Sequence, residues 1–507
     1  MLSPARKGSV VVAADASPAW ASRIPIDLLL VVGLTALGAV LRFATLTSQS
    51  YWFDEAQAAH EMQLSFGALM HTIGAQETSP PLYFVVGWLW AKLFGTGEAG
   101  LRSLSALAGT ALIPVTYLCG RALVTRRAGV VAAGLAAISP FLIWYSQEAR
   151  EYMLLALLCG VSLLFFARSL RDPSARNLAW WAVASGLALL THFFAGFLVA
   201  PEAAWLLGAL WRTRRRAVLT AVAAVVVVEV ALIPLAVSDV GHPLGWLTQF
   251  PLATRIKQVP VTFAAGTLYR STMVNWGLLG AAVLVAVLIV LLVAGADRDE
   301  LRGAGIAAAL AAFVLIVPLL AALVGHDFYI ARALIPAWAP LAVVIGAACT
   351  ASRARLPGAA LAAVLAVSFI AASIRISDHP QYQRPNWRGV ATALGAASGQ
   401  RAIVIADAQL ATDPLEIYLP RVPWGGGGSA PVTVSEVDVV GSPYSAAVAR
   451  GSAGAVLVSR RVVDGYLVRR FRLAQPWRLT PDQIGTRAAT LSGSPSAAPA
   501  VLIQHAS

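Results

Sequence analysis

Tyr51-Trp52-Phe53-Asp54-Glu55-Ala56-Gln57-Ala58 follows directly on the first long apolar run of the chain, about residues 25–45. A run of that length crosses a bilayer as a helix. Two acidic groups at its end are costly there unless they face water, a partner or a substrate. Two readings follow. Either Asp54 and Glu55 are a general base and its helper at the mouth of a membrane-embedded site, or they cap an interfacial helix, with Asp54 as N-cap and Glu55 in its first turn.

Outward from this stretch the same alternation repeats. Apolar runs recur over the first three quarters of the 507 residues; the chain is 58% hydrophobic, only 12% charged, and has a mean hydropathy of +0.71. A backbone in lipid must be helical or form a closed barrel, and runs this continuous exclude the barrel. The net charge of +13 is gathered in short turns between apolar runs, which is a topology signal and not a nucleic-acid footprint. Cys119, Cys159 and Cys349 all fall in apolar segments, so neither a disulfide framework nor a zinc site is indicated.

Positive charge marks the cytoplasmic side. The basic turns are Arg121–Arg127, Arg168–Arg176, Arg212–Arg216 and Arg353 with Arg355; Asp297–Arg302 is mixed in sign. With residues 1–24 as a cytoplasmic tail, the first span delivers Asp54 and Glu55 outside. The short aromatic run 80–94, opened by Pro80-Pro81, reads as a helix lying in the interface. The first external loop is then 46–102. Further spans over 103–122, 128–145, 153–168, 178–192, 194–211, 217–237, 276–294, 304–324, 333–350 and 357–374 keep every strongly basic turn inside, for about eleven crossings. Residues 25–374 form the membrane domain. Residues 375–507 lack a spanning run; Gly425–Gly428, several prolines and β-rich runs at Ala402–Ile405, Pro431–Val434 and Ala455–Val458 predict a small extracytoplasmic α/β domain, with a helix after Pro385-Asn386-Trp387-Arg388.

This topology gathers isolated polar groups on one side. Asp54, Glu55, His60, His71, Glu77 and Arg102 lie in the first loop, and Tyr145-Ser146-Gln147-Glu148-Ala149-Arg150-Glu151-Tyr152 closes the third span. His192 ends the fifth. Lys257, Tyr269 and Arg270 lie in an external stretch, and His326, Asp327, Tyr329 and Arg332 follow the ninth span. Arginines on one rim suit an anionic, lipid-linked substrate, because a guanidinium binds phosphate with a fork of donors and stays charged. The plainer reading of Arg102 and Arg150 is snorkelling to the interface, and that of His192 is an interfacial hydrogen bond.

Four ordered patches carry a family resemblance: Phe53-Asp54-Glu55-Ala56; Ser79-Pro80-Pro81-Leu82-Tyr83-Phe84 with Leu93-Phe94-Gly95 and Leu101-Arg102-Ser103-Leu104-Ser105-Ala106; Ser139-Pro140 with Trp144 to Tyr152; and Tyr329-Ile330-Ala331-Arg332-Ala333-Leu334-Ile335-Pro336-Ala337. In these the chain resembles the GT-C membrane glycosyltransferases, in the bacterial branch of protein O-mannosyltransferases and aminoarabinose transferases (glycosyltransferase family 39-like). It departs from them at Ser79, where a His or Lys is usual, and at Ala333, where a Tyr is usual, so the sugar is not carried over.

The resemblance implies a polytopic α-helical GT-C fold in a bacterial plasma membrane, with interfacial helices in the first external loop. It implies a polyprenyl-phosphate sugar as donor, a glycan, lipid or protein hydroxyl as acceptor, and one inverting displacement. Asp54 would take the acceptor proton and Glu55 would support the loop or the acceptor. Arg332, Arg150, Arg270 and Arg102, in that order, are candidates for the donor phosphate, with Glu148, Tyr145, Gln147, Tyr329 and His192 as further substrate contacts. Membrane lipids are partners and nucleic acid is not. No Asp-x-Asp motif of the metal-using kind appears and no cofactor is expected, although a divalent cation is compatible with the site. The alternatives are a flippase of lipid-linked glycans, for which Glu202 and Glu229 would be the mid-membrane groups, and a glycan-binding scaffold.

Overall fold

The computed structural model describes residues 25–76, 79–240, 247, 250–270, 272–405, 412–419, 430–441, 454–492 and 500–504. The expected N-terminal tail and Gly425–Gly428 lie outside these residues, as does Glu77. Sixteen helices come first: α1 (Ile26–Phe43), α2 (Phe53–Glu61), α3 (Phe66–Gln76), α4 (Leu82–Phe94), α5 (Glu98–Leu123), α6 (Arg126–Ile138), α7 (Pro140–Ser146), α8 (Tyr152–Arg171), α9 (Ala175–Leu189), α10 (Gly196–Leu210), α11 (Arg215–Val240), α12 (Leu252–Ala265), α13 (Gly277–Gly295), α14 (Arg298–Leu323), α15 (Trp338–Cys349) and α16 (Arg355–Asp378). A sheet unit follows.

Among the described residues eight helices are long and apolar enough to cross a membrane, and the pair α6–α7, bent by 55°, makes a ninth. Every expected span falls on a helix, but two are short. The 15-residue α9, and α15 with its 3-10 turn Ile335–Ala337, reach only about 22 Å at 1.5 Å per residue, against a hydrocarbon core of about 30 Å. Non-helical backbone adjoins each, at Thr191-His192 and at Tyr329–Leu334; such backbone is tolerated at membrane depth where protein or a polar cavity surrounds it. The first loop holds three helices, α2, α3 and α4, in keeping with the interfacial helices expected there. Asp297-Arg298-Asp299 has Asp-x-Asp spacing, but Asp297 and Glu300 form a capping box at the start of α14. The three cysteines are buried and free.

The break between α6 and α7 follows from Ser139-Pro140. The carbonyl of Ala136 would accept from the N–H of residue 140, which proline lacks. Arg42, fully buried in α1, supplies the missing donors: Nη2 donates to Ala136 O at 2.7 Å and Nη1 to Ala137 O at 3.0 Å. Its Nε donates to Ser146 Oγ at the far end of α7, 3.0 Å. Gly109 of α5 leaves room for this meeting, since a Cβ there would stand 2.1 Å from Ser146 Oγ. One arginine therefore sets the bend that aims Tyr145 and the following Gln147–Glu151 segment.

The C-terminal unit is a five-stranded sheet flanked by helices. Strands β1 (Arg401–Ile405), β2 (Val432–Gly441), β3 (Ala455–Val463), β4 (Tyr466–Leu479) and β5 (Ala500–Gln504) lie in the order β3-β4-β2-β1-β5. Among the described residues only β1 and β2 pair in parallel. Alternate residues of β1 enter two cores: Ile403 and Ile405 meet helices α17 (Trp387–Leu394) and α18 (Thr412–Tyr418), whereas Ala402 and Val404 meet α19 (Pro481–Ser492). Asn386 caps α17 by accepting from Gly389 N at 2.8 Å.

The connector after α16 fastens this unit to the first loop. Ser50 Oγ donates to Pro385 O at 2.8 Å and accepts from Trp387 N at 2.9 Å, and Gln49 Oε1 accepts from Arg384 N at 2.8 Å. Glu98 accepts from both Arg388 and the Tyr418 hydroxyl, which in turn accepts from Tyr51 N at 2.7 Å.

Candidate active site

Asp54 and Glu55, adjacent on α2, face opposite ways. Glu55 is fully buried: its two oxygens accept from Arg102 Nε and Nη2 at 2.7 Å each, and Oε1 also accepts from Ala149 N at 2.9 Å. Burial raises the pKa of this carboxyl, but Arg102 and Arg384 outweigh it and hold Glu55 below the usual carboxylate range. Asp54 turns instead into a cavity of about 360 Å³. There Arg332 Nη1 donates to its Oδ2 at 3.1 Å, and both side chains keep about a fifth of their surface exposed, 18% and 21%. Neither residue caps the helix: the N-cap of α2 is Trp52, without a side-chain bond.

Arg332 sits on the non-helical stretch before α15, its guanidinium near the rings of Trp52 (5.8 Å) and Tyr152 (5.6 Å). That stretch is anchored by Arg255 of α12, which donates to Asp327 Oδ1 at 2.8 Å and to Tyr329 O at 2.7 Å. On the opposite wall Glu148 pairs with Arg384 Nη2 at 3.0 Å, and the Arg384 guanidinium lies over Trp144 at 4.2 Å. Burial pushes Glu148 up to about 7 against the pull of Arg384. Phe141, Trp144, Leu247 and Phe250 make the remaining wall largely apolar, which suits a ligand with a hydrocarbon portion.

The structure thus brings Asp54, Arg332, Glu148 and Tyr145 around one cavity. Five other candidates lie elsewhere. Arg102 is 1% exposed and all five of its donors are spent, on Glu55 and on the carbonyls of Leu46, Gln49 and Ser50. Arg150 is buried with Glu151, Nε to Oε2 2.9 Å, so neither arginine snorkels. Gln147 donates to Leu41 O, Arg42 O and Thr45 Oγ1, tying α7 to the end of α1. Tyr329 is buried and contributes its carbonyl. His192 Nδ1 accepts from Phe194 N at 3.1 Å. Arg270 closes a 3-10 turn, Gly266–Arg270, whose Gly266 and Thr267 line the cavity, but its side chain lies outside the described residues.

Arg255 and Arg384 line the cavity and were not foreseen. Arg384 precedes the Pro385-Asn386-Trp387-Arg388 segment that marks α17, and nothing local announces that it reaches back to Glu148. The two carboxylates expected at mid-membrane do not line the cavity. Glu202 is buried, accepting from Ser162 Oγ at 2.5 Å and Trp181 Nε1 at 2.9 Å, and Glu229 sits on the exposed side of α11. Among the described residues no three His, Cys, Asp or Glu are grouped to hold a metal ion.

Residues 78–237 match the family described as dolichyl-phosphate-mannose-protein mannosyltransferase. Among solved structures, the chain is similar to ArnT from Cupriavidus metallidurans in the apo state, with 16% identity and a TM-score of 0.53 over 88% of this chain and 98% of that one. The same protein bound to undecaprenyl phosphate aligns with a TM-score of 0.49 at 16% identity, over 87% and 97%. The archaeal oligosaccharyltransferase AglB from Archaeoglobus fulgidus gives 0.42 at 15% identity, over 72% and 57%. No curated protein matches the chain. The chain thus shares the fold of ArnT, and the family match falls within its helical part.

Proposed function

We propose that this protein is an inverting glycosyltransferase that moves a sugar from a polyprenyl-phosphate donor to an acceptor hydroxyl on the extracytoplasmic face of a bacterial plasma membrane. The observation that carries this reading is the Asp54–Arg332 pair, 3.1 Å apart in the cavity. A hydroxyl attacking an anomeric carbon must lose its proton, and Asp54 is the carboxylate placed to take it. The departing lipid phosphate is an anion, and Arg332, whose long side chain lines the same cavity, supplies positive charge for it. The name of the matching family supports a lipid-phosphate-linked donor. Glu55, Arg102 and Arg150 then act as buried framework, and the side chain of Arg270 is a further phosphate ligand.

The test is sugar transfer by purified protein in nanodiscs, with a panel of radiolabelled polyprenyl-phosphate sugars and extracted envelope acceptors. Asp54→Asn should lower turnover on the order of 10²–10⁴-fold while donor binding persists. Equal turnover in both proteins would move the base to another carboxylate, Glu148 first. Passage of lipid-linked sugar across proteoliposomes without its consumption would replace the enzyme with a flippase.

A further inference from the structure

Arg384 comes from the connector to the C-terminal unit, more than 200 residues beyond Glu148, yet both line the cavity. Among the described residues the hydrogen bonds of its side chain leave from Nη2 alone, to Glu148 Oε2 at 3.0 Å and Trp144 O at 3.3 Å. Its Nε lies 3.6 Å from Glu55 Oε2, beyond hydrogen-bond range, and Glu148 Oε1 accepts from none of the described residues. Both residues are more than nine-tenths buried. Buried polar groups are satisfied as a rule, so unfilled positions on a cavity wall mark where a ligand completes the set.

Charge decides what that ligand is. Arg384 is already opposed by Glu148 and by Glu55, and Glu55 is shared with Arg102. A guanidinium so compensated has little attraction left for a phosphate. It still donates hydrogen bonds, beside a carboxylate that still accepts them. A carboxylate also turns readily about its last bond, so Oε1 can swing to meet a ligand. A donor next to an acceptor is the complement of two neighbouring hydroxyls.

We propose that Arg384 and Glu148 form a binding subsite for adjacent hydroxyl groups of a sugar ring, which would set the discrimination of the transfer proposed above. The subsite rests on that reading for its role, but its occupancy is measurable without turnover. The ring can belong to the donor or to a glycan acceptor.

Equilibrium binding in nanodiscs separates the cases. The probes are bare polyprenyl phosphate, polyprenyl-phosphate hexoses and pentoses, ring-deoxy analogues of these, and methyl glycosides added to protein loaded with bare lipid. Wild type is compared with Glu148→Gln and Arg384→Lys, each checked for unaltered thermal unfolding; Glu148→Gln is isosteric and decides the matter if the lysine variant does not fold. A donor ring in the subsite makes the sugar-bearing lipid bind about tenfold more weakly to the variants, leaves the bare lipid unchanged, and leaves the deoxy analogue indifferent to the substitution. The same pattern confined to methyl glycosides assigns the ring to the acceptor. Sugar-dependent affinity that is equal in all three proteins overturns the subsite, as does wild-type affinity that no sugar alters. Normal sugar-dependent binding without transfer by any protein would reject the proposed chemistry and keep the subsite.

Discussion

Glu148 offers the clearest single-residue experiment on stability. Its folded pKa of about 7 stands above the ordinary value of 4.5, chiefly through burial. Between those two values the folded protein holds a proton that the unfolded chain has released, so its stabilising contribution is full at low pH and declines as pH rises through 7. The thermal-inactivation temperature of wild type in nanodiscs should therefore fall more steeply from pH 5 to 7.5 than that of Glu148→Gln; parallel slopes would sink the assignment. The Asp54-Glu55 pair was legible because two carboxylates at the end of an apolar run cannot be indifferent. Their division of labour was not: it depends on which side of α2 faces Arg102 and which faces the cavity. Arg102 illustrates the same limit. Its charge was visible, but five acceptors drawn from residues 46–55 were not.

At the scale of elements, the spans could be read directly, since continuous apolar runs have one solution in lipid. The irregularities follow from single residues: proline bends α6–α7, and α9 and α15 stop short where polar backbone is needed. Arg42 makes the bend testable. Arg42→Met should leave the carbonyls of Ala136 and Ala137 without donors, each costing about 1–3 kcal/mol, and lower the unfolding temperature while reducing turnover through displaced Tyr145 and Glu148. Unaltered stability would show that the bend holds itself. Packing of α15 on α6 is equally exacting, because a Cβ on Gly346 would stand 2.4 Å from Ala128 O. Gly346→Ala should force these helices apart and cost about 1–3 kcal/mol, read as a lower unfolding temperature.

For the whole molecule, the sheet unit is bound to the membrane helices through side chains that converge from distant parts of the chain. Glu98 at the start of α5 receives both Arg388 and Tyr418. Glu98→Ala should loosen this attachment, seen as faster proteolysis within residues 375–400 with the helical bundle intact; an unchanged digestion pattern would place the attachment at Ser50 and Gln49 alone. β1, β2, β3 and α17 were foreseen from local pattern, but their docking was not, because contacts such as Ser50 with Pro385 join positions that no short-range signal relates. The presence of Arg384 on the cavity wall bears on how the protein comes into being. During synthesis α1 to α16 emerge before Arg384 does, and segments fold in the order they emerge. A nascent chain therefore carries Asp54 and Arg332 but an unfinished pocket until its connector has arrived and docked, which postpones a complete binding surface to the end of biogenesis.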